Sequence, residues 1–221
     1  MVTTRSASKA ASPGPSASTT LNPASPRTLW THAPSRVTLF WLAVSLPLVI
    51  WDSGYVLLRP HTMEGGRLHW PLYAPYKLYG EVDHVYGWKA WEAGNGFTGA
   101  QGALNVLETA MYLVYVAIYL RTAKKTATGV SVLSGRPAAV AVLTAFSAAV
   151  MTLSKTVLYW LNEYYSGFDN IGHNSIQDLI PLWIIPNGAW LIFPSYMIYA
   201  LGSEIINGLA IASTGASIKS E

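Results

Sequence analysis

The chain has 221 residues, 51% of them hydrophobic and only 11% charged, where soluble domains carry about 25% charged residues. That deficit, with several long apolar runs, reads as an integral membrane protein. A formal charge of +3 is too small and too scattered for a nucleic-acid-binding protein, and the lack of cysteine removes disulfides, thiolate metal sites and cysteine nucleophiles.

Residues 1–35 are rich in Ser, Thr, Ala and Pro, carry Arg5, Lys9 and Arg27, and contain no acid. This composition predicts a disordered tail with no catalytic role. A first apolar span runs from about Val37 to Leu58, with Trp41, Ser45, Leu48, Asp52 and Tyr55 on one face and Pro47 placed to kink it. The stretch from Arg59 to Gly99 is punctuated by prolines and has balanced charge. It reads as a lid or as a re-entrant, interfacial segment, and its Trp70, Tyr73, Tyr76, Tyr79, Trp88 and Trp91 suit the headgroup level.

The second span, about Gly102 to Leu120, is long enough to cross a bilayer, which takes about 20 residues. Yet Asn105, Glu108, Thr109, Tyr112, Tyr115 and Tyr119 recur along it at helical spacing. A carboxyl inside a membrane segment costs roughly 2.5–3.5 kcal/mol on insertion scales, so this stripe must face protein or a cavity. The loop to Arg136 carries Lys124 and Lys125 and no acid.

The third span, about Pro137 to Glu163, puts Thr152, Lys155, Tyr159 and Asn162/Glu163 on one side. After a short loop with Asp169 and His173 comes the fourth, about Ile176 to Leu201, with Trp183, Asn187, Trp190 and Pro194 on one face. Four crossings place both termini and the basic 121–136 loop on one side, which the excess of Lys and Arg predicts to be cytoplasmic. In that arrangement Asp52 and Glu108 lie at similar depth, with Lys155, Tyr159 and Asn187 in or near the same layer.

Ordered along the chain, Asp52-Ser53-Gly54-Tyr55-Val56-Leu57, Leu107-Glu108-Thr109, Val157-Leu158-Tyr159-Trp160-Leu161-Asn162-Glu163, Gly167-Phe168, Gly172-His173 and Asn187-Gly188-Ala189-Trp190-Leu191-Ile192-Phe193-Pro194 form a set that resembles the emopamil-binding protein family. These are the EXPERA-domain membrane proteins that include the sterol Δ8–Δ7 isomerase and the sigma-2 receptor. The resemblance covers roughly residues 37–203. It implies an all-α, four- or five-helix membrane bundle over residues 36–203, between the tail of residues 1–35 and a polar C-terminal tail, 204–221. It also implies a sterol-like or cationic amphiphilic ligand, residence in the endoplasmic reticulum, and functional roles at Asp52, Glu108, Asn187 and Trp190. The isomerase carries a histidine where this chain has Leu48.

Moving a double bond requires a proton donor and a proton acceptor in one dry pocket, and something to hold the intervening carbocation. Asp52 and Glu108, sharing one chamber, would divide into a neutral acid and a carboxylate. Asn187 would hold a substrate hydroxyl or orient a carboxyl. Trp190, Trp183, Tyr112 and Tyr159 offer rings, and Thr109 and Lys155 offer polar contacts in the same wall. Three readings stand together: an isomerase or cyclase acting on a sterol- or terpenoid-like lipid, a non-catalytic lipid-binding protein, and a scaffold whose polar stripes mediate helix packing. No cofactor is called for, the lone histidines show no metal spacing, and a homodimer is left open.

Overall fold

A computed structural model of the protein describes residues 30–217. The expectations for residues 1–29 and 218–221 lie outside the described residues. The bundle is all-helical in its body. Four helices are long and apolar enough to cross a membrane: α1, Arg36–Leu57; α4, Phe97–Thr122; α5, Gly135–Tyr165; and the fourth span, Ile176–Ser213. That fourth span starts as a short helix α6, Ile176–Leu179, widens through a π-helical turn at Ile180–Ile184, and continues as α7, Ile185–Ser217.

Local chemistry sets the helix starts. Ser35 caps α1, its Oγ accepting the Thr38 amide at 3.0 Å, and Ser175 caps α6 through the Asp178 amide at 3.2 Å. Pro47 and Pro194 sit inside α1 and α7 without ending either helix. α5 lies between α4 and α7, while α1 leans on α4 and barely meets α7. The face of α5 that makes this possible is built from small residues: Ala138, Ala141, Ala145, Ala148 and Ala149 are all fully buried, so backbones approach closely where no large side chain intervenes. Gly102 does the same on α4, where a Cβ would meet Val56 Cγ1 of α1 at 2.9 Å.

Between α1 and α7, Trp41 stacks on Phe193 (4.5 Å between centroids, 9° between planes) and meets Trp190 edge-on at 4.9 Å. These rings bridge the two helices; beyond them, away from the chain's N-terminal end, the helices part.

The connection from residue 58 to 96 holds a π-helical turn, His69–Tyr73, and the short helices α2, Pro75–Val82, and α3, Trp88–Glu92. None of these approaches the length of about 20 residues that crossing requires, so the described residues hold four candidate spans. Trp70, Trp88 and Trp91 are exposed as expected, but Tyr73 and Tyr76 are buried. Their rings stack with Tyr55 and Trp51 of α1 because the connection folds back over the bundle.

Two further differences from the sequence reading concern the opposite end. The 121–136 loop is part of a small antiparallel sheet of three strands, β1 (Thr31–His32), β3 (Ser131–Ser134) and β2 (Lys124–Lys125), in the order β1-β3-β2. Thr31 pairs with Ser134, and Lys124 with Val132. Residues 30–35, expected in the disordered tail, are therefore ordered. His32 is buried there, its Nδ1 2.6 Å from Glu204 Oε2 and its Nε2 2.9 Å from Tyr115 Oη. The last helix also runs past residue 203, which is what brings Glu204 to His32.

Candidate functional site

The gap between α1 and the fourth span opens into a cavity of about 460 Å³, roofed by α2. α1 contributes Leu48, Trp51 and Asp52; α2 contributes Tyr76 and Tyr79; α4 contributes Phe97, Gln101 and Asn105. Lys155 and Tyr159 come from α5, and Pro186, Asn187 and Trp190 from the fourth span. Leu48, Leu78, Pro181 and Pro186 line it while remaining exposed, so its rim toward the outside of the bundle is apolar. The size and apolar lining suit a small, mostly apolar molecule.

One polar network crosses the wall. Tyr76 Oη donates to Asp52 Oδ1 at 2.7 Å, and Asn105 Nδ2 donates to Asp52 Oδ2 at 3.1 Å. The Asn105 side-chain oxygen in turn accepts from Lys155 Nζ, which also donates to Glu108 Oε2 at 3.1 Å. Thr152 Oγ1 adds a donor to the same Glu108 oxygen at 2.8 Å. Each carboxylate oxygen of Asp52 keeps a lone pair that these bonds leave unused. Burial, and then the Asp52 carboxylate beside it, hold the Tyr76 phenol well above the ordinary range, so it stays a donor.

The five expected residues Asp52, Asn187, Trp190, Lys155 and Tyr159 thus share the cavity wall. Glu108 is joined to them through Lys155 but lies behind the wall. With Thr109 and Tyr112 it faces a separate void of about 20 Å³, room for about one water molecule. Trp190 lines both spaces. Glu108 Oε1 is buried with no hydrogen-bond partner among the described residues. Trp183 lines neither space. It is buried and donates from Nε1 to Asp83 Oδ2 at 2.9 Å.

Asp83 is the acid that periodicity did not mark. It is fully buried just after α2, where its Oδ1 accepts the Val85 amide at 3.0 Å and its Oδ2 accepts the Tyr159 hydroxyl as well as Trp183. Burial pushes its carboxyl up to about 7, against the pull of the Trp183 indole and the Val85 amide. Through these bonds Asp83 ties the connection to α5 and to the fourth span. Nearby, Lys89 pairs with Asp169 at 2.8 Å, Asn174 donates to Val82 O at 2.7 Å, and the rings of His84 and His173 stack at 4.0 Å. The roof of the cavity is therefore pinned to the loop between α5 and α6. A signal existed in the sequence, an acid flanked by apolar residues in Val82-Asp83-His84-Val85, but nothing there identified partners 76 and 100 residues away.

Five tyrosines and a tryptophan form one cluster, with Trp51, Tyr76, Tyr79 and Tyr86 in the cavity wall and Tyr55 and Tyr73 packed behind it. Tyr55 and Tyr76 are stacked at 3.7 Å, Trp51 and Tyr76 meet at 4.8 Å, and Tyr79 stands edge-on to Tyr86 at 4.9 Å, with Tyr73 completing the cluster. Among the described residues no cluster of His, Cys, Asp and Glu forms a metal site.

Comparison of the chain with protein-family models, with curated proteins and with solved structures gives no match.

Proposed function

We propose that this chain is a membrane enzyme that shifts a double bond in a sterol- or terpenoid-like lipid by proton addition and removal, the activity its motifs suggest by their resemblance to the emopamil-binding protein family. The observation that supports the reading is Asp52, a carboxyl set into the wall of an apolar, ring-lined cavity and oriented by two donors, Tyr76 and Asn105.

The step balances on this single group. Asp52 in its acid form gives its proton to one alkene carbon, and the electron pair of the double bond becomes the new C–H bond. The cation left on the neighbouring carbon faces the rings of Trp190, Tyr76 and Trp51. The Asp52 carboxylate then removes a proton from the next carbon, whose C–H pair becomes the shifted double bond, and the acid form returns. Asn187 is the group in reach of a substrate hydroxyl. The endoplasmic reticulum, and a cytoplasmic face for the end that carries the sheet, belong to the same proposal; the excess of Arg36, Arg121, Lys124, Lys125 and Arg136 over Glu204 at that end supports the orientation.

One observation favours a second reading, a lipid-binding protein without turnover: Lys155 neutralises Glu108, so the second acid is not free to share the chemistry. The deciding experiment supplies a Δ8-unsaturated sterol to the purified chain in nanodiscs in D₂O. A shifted double bond carrying one deuterium, absent with Asp52→Asn, supports the enzyme. Sterol that binds and returns unchanged sinks it in favour of the second reading.

A further inference from the structure

Lys155 is the one basic side chain in the cavity wall, and proton shuttling by Asp52 does not use it. Among the described residues it is also the single lysine within a membrane span; Lys77, Lys89, Lys124 and Lys125 lie outside the spans and are exposed. Its side chain is only 10% exposed, yet it lines the cavity, while Glu108 beside it does not. Of its three N–H bonds, one goes to Asn105 and one to Glu108, which leaves the third position of the amine uncommitted.

We infer that Lys155 is a nucleophile that captures a lipid aldehyde or ketone inside the cavity as an imine, with Glu108 as its proton partner and Asn105 as the group that aims it. The ammonium proton passes to Glu108 Oε2, 3.1 Å away. Two opposite charges then become two neutral groups, a favourable exchange in an apolar interior. The free amine adds to the carbonyl carbon, the C=O π pair moving to oxygen, and the nitrogen loses a proton as the oxygen gains one. Glu108 returns its proton to the carbinolamine hydroxyl, which leaves as water while the nitrogen lone pair forms the C=N bond.

The product is an iminium ion beside the Glu108 carboxylate, with Asp52 on the other side of Asn105. The net change is ammonium plus carbonyl to iminium plus water, with no other reactant. The rings of Trp51, Tyr76, Tyr79 and Tyr86 that line the cavity suit a flat carbonyl lipid, conjugated or polycyclic. The inference depends on the cavity and on the Lys155–Glu108 pair, and stands or falls separately from double-bond migration.

The test uses the full chain in nanodiscs with all-trans-retinal as probe and cyanoborohydride to trap any imine, followed by intact mass and peptide mapping. The expected adduct is one reduced retinyl group on Lys155, in about tenfold excess over any exposed lysine. Glu108→Gln should slow trapping by about a hundredfold, as loss of a general acid–base partner does. Lys155→Arg, which keeps a cation beside Glu108, should abolish that adduct and leave the surface lysines unchanged. Should Lys155→Arg fail to fold, the wild-type map decides alone. Adducts spread over Lys77, Lys89, Lys124 and Lys125 with none on Lys155, or retinal held in the cavity without reaction, overturn the inference. Either result leaves the deuterium experiment on the sterol untouched.

Discussion

Tyr76 donates its hydroxyl to Asp52 Oδ1 over 2.7 Å, and the same ring lies stacked on Tyr55 with 3.7 Å between centroids. One side chain thereby holds the carboxyl and builds the wall around it, and the two roles separate on substitution. Tyr76→Phe keeps the stacking and removes the donor, and should cost about 1–3 kcal/mol, the range for leaving a buried acceptor without its donor. Tyr76→Leu should cost about 1 kcal/mol more through the lost ring contacts. Thermal unfolding in a fixed detergent measures both, and turnover should fall with either.

Glu108 and Lys155 form the one ion pair inside the membrane layer among the described residues. Glu108→Gln or Lys155→Met alone should destabilise by about 3–5 kcal/mol, because each leaves an uncompensated buried charge. The double variant should lose less than the sum of the two. A double-mutant cycle on unfolding free energies checks this, and strict additivity would show that the pair is uncoupled.

Asp83 predicts a pH dependence whose sign follows from its shift. Its folded-state value is raised from 3.8 to about 7, so the folded protein holds this proton more tightly than the unfolded chain. The contribution is present in full below about pH 4 and is lost as pH rises through about 7. The stability difference between wild type and Asp83→Asn should therefore move in the variant's favour across that window and level off above it. Melting temperatures of the two proteins, taken from pH 4 to 8, provide the check.

His32 fills a buried position between Glu204 and Tyr115. His32→Phe should destabilise by about 1–3 kcal/mol, since it leaves the buried Tyr115 hydroxyl and the half-buried Glu204 carboxyl without their partner. Added loss from Glu204→Gln in the same chain should be small, because the partner is already gone. Near-additive losses would mean that the contact contributes little.

With no native cysteine, single introduced cysteines report sidedness cleanly. Lys124→Cys and Thr126→Cys, at the exposed tip near β2, should react with an impermeant maleimide only from the cytoplasmic face of sealed microsomes. Ser166→Cys should react only from the other. The reverse pattern inverts the proposed orientation.

Hydropathy was enough to place the four spans, and 3.6-residue spacing was enough to put Glu108, Thr109, Tyr112 and Tyr115 on the buried face of α4, because an isolated helix carries its own period. It did not separate Glu108 from the cavity. That depends on where Lys155 of α5 inserts, and no pattern within one helix reports it. The connection was harder for a related reason. Tyr73 and Tyr76 have the composition of interfacial aromatics, and only the way the chain folds back over α1 makes them interior. Asp83 and His32 acquire their partners from helices far along the chain, which no local pattern reports. The strand pairs at residues 31–32 and 131–134 are too short for any alternation to show.

The sheet has a consequence for how the molecule comes to be made. β1 precedes the first span, while its partner β3 precedes the third and Glu204 lies near the end of the fourth. During synthesis the leading arm must wait beside the membrane, unpaired, until about a hundred further residues have emerged, and His32 must wait longer still for its carboxylate. Closure of that end is thus the final act of assembly, dependent on contacts distant along the chain, which form late because their loops are costly to close. A chain stopped before Glu204 could still pair β1 with β3 but would leave His32 without its carboxyl partner.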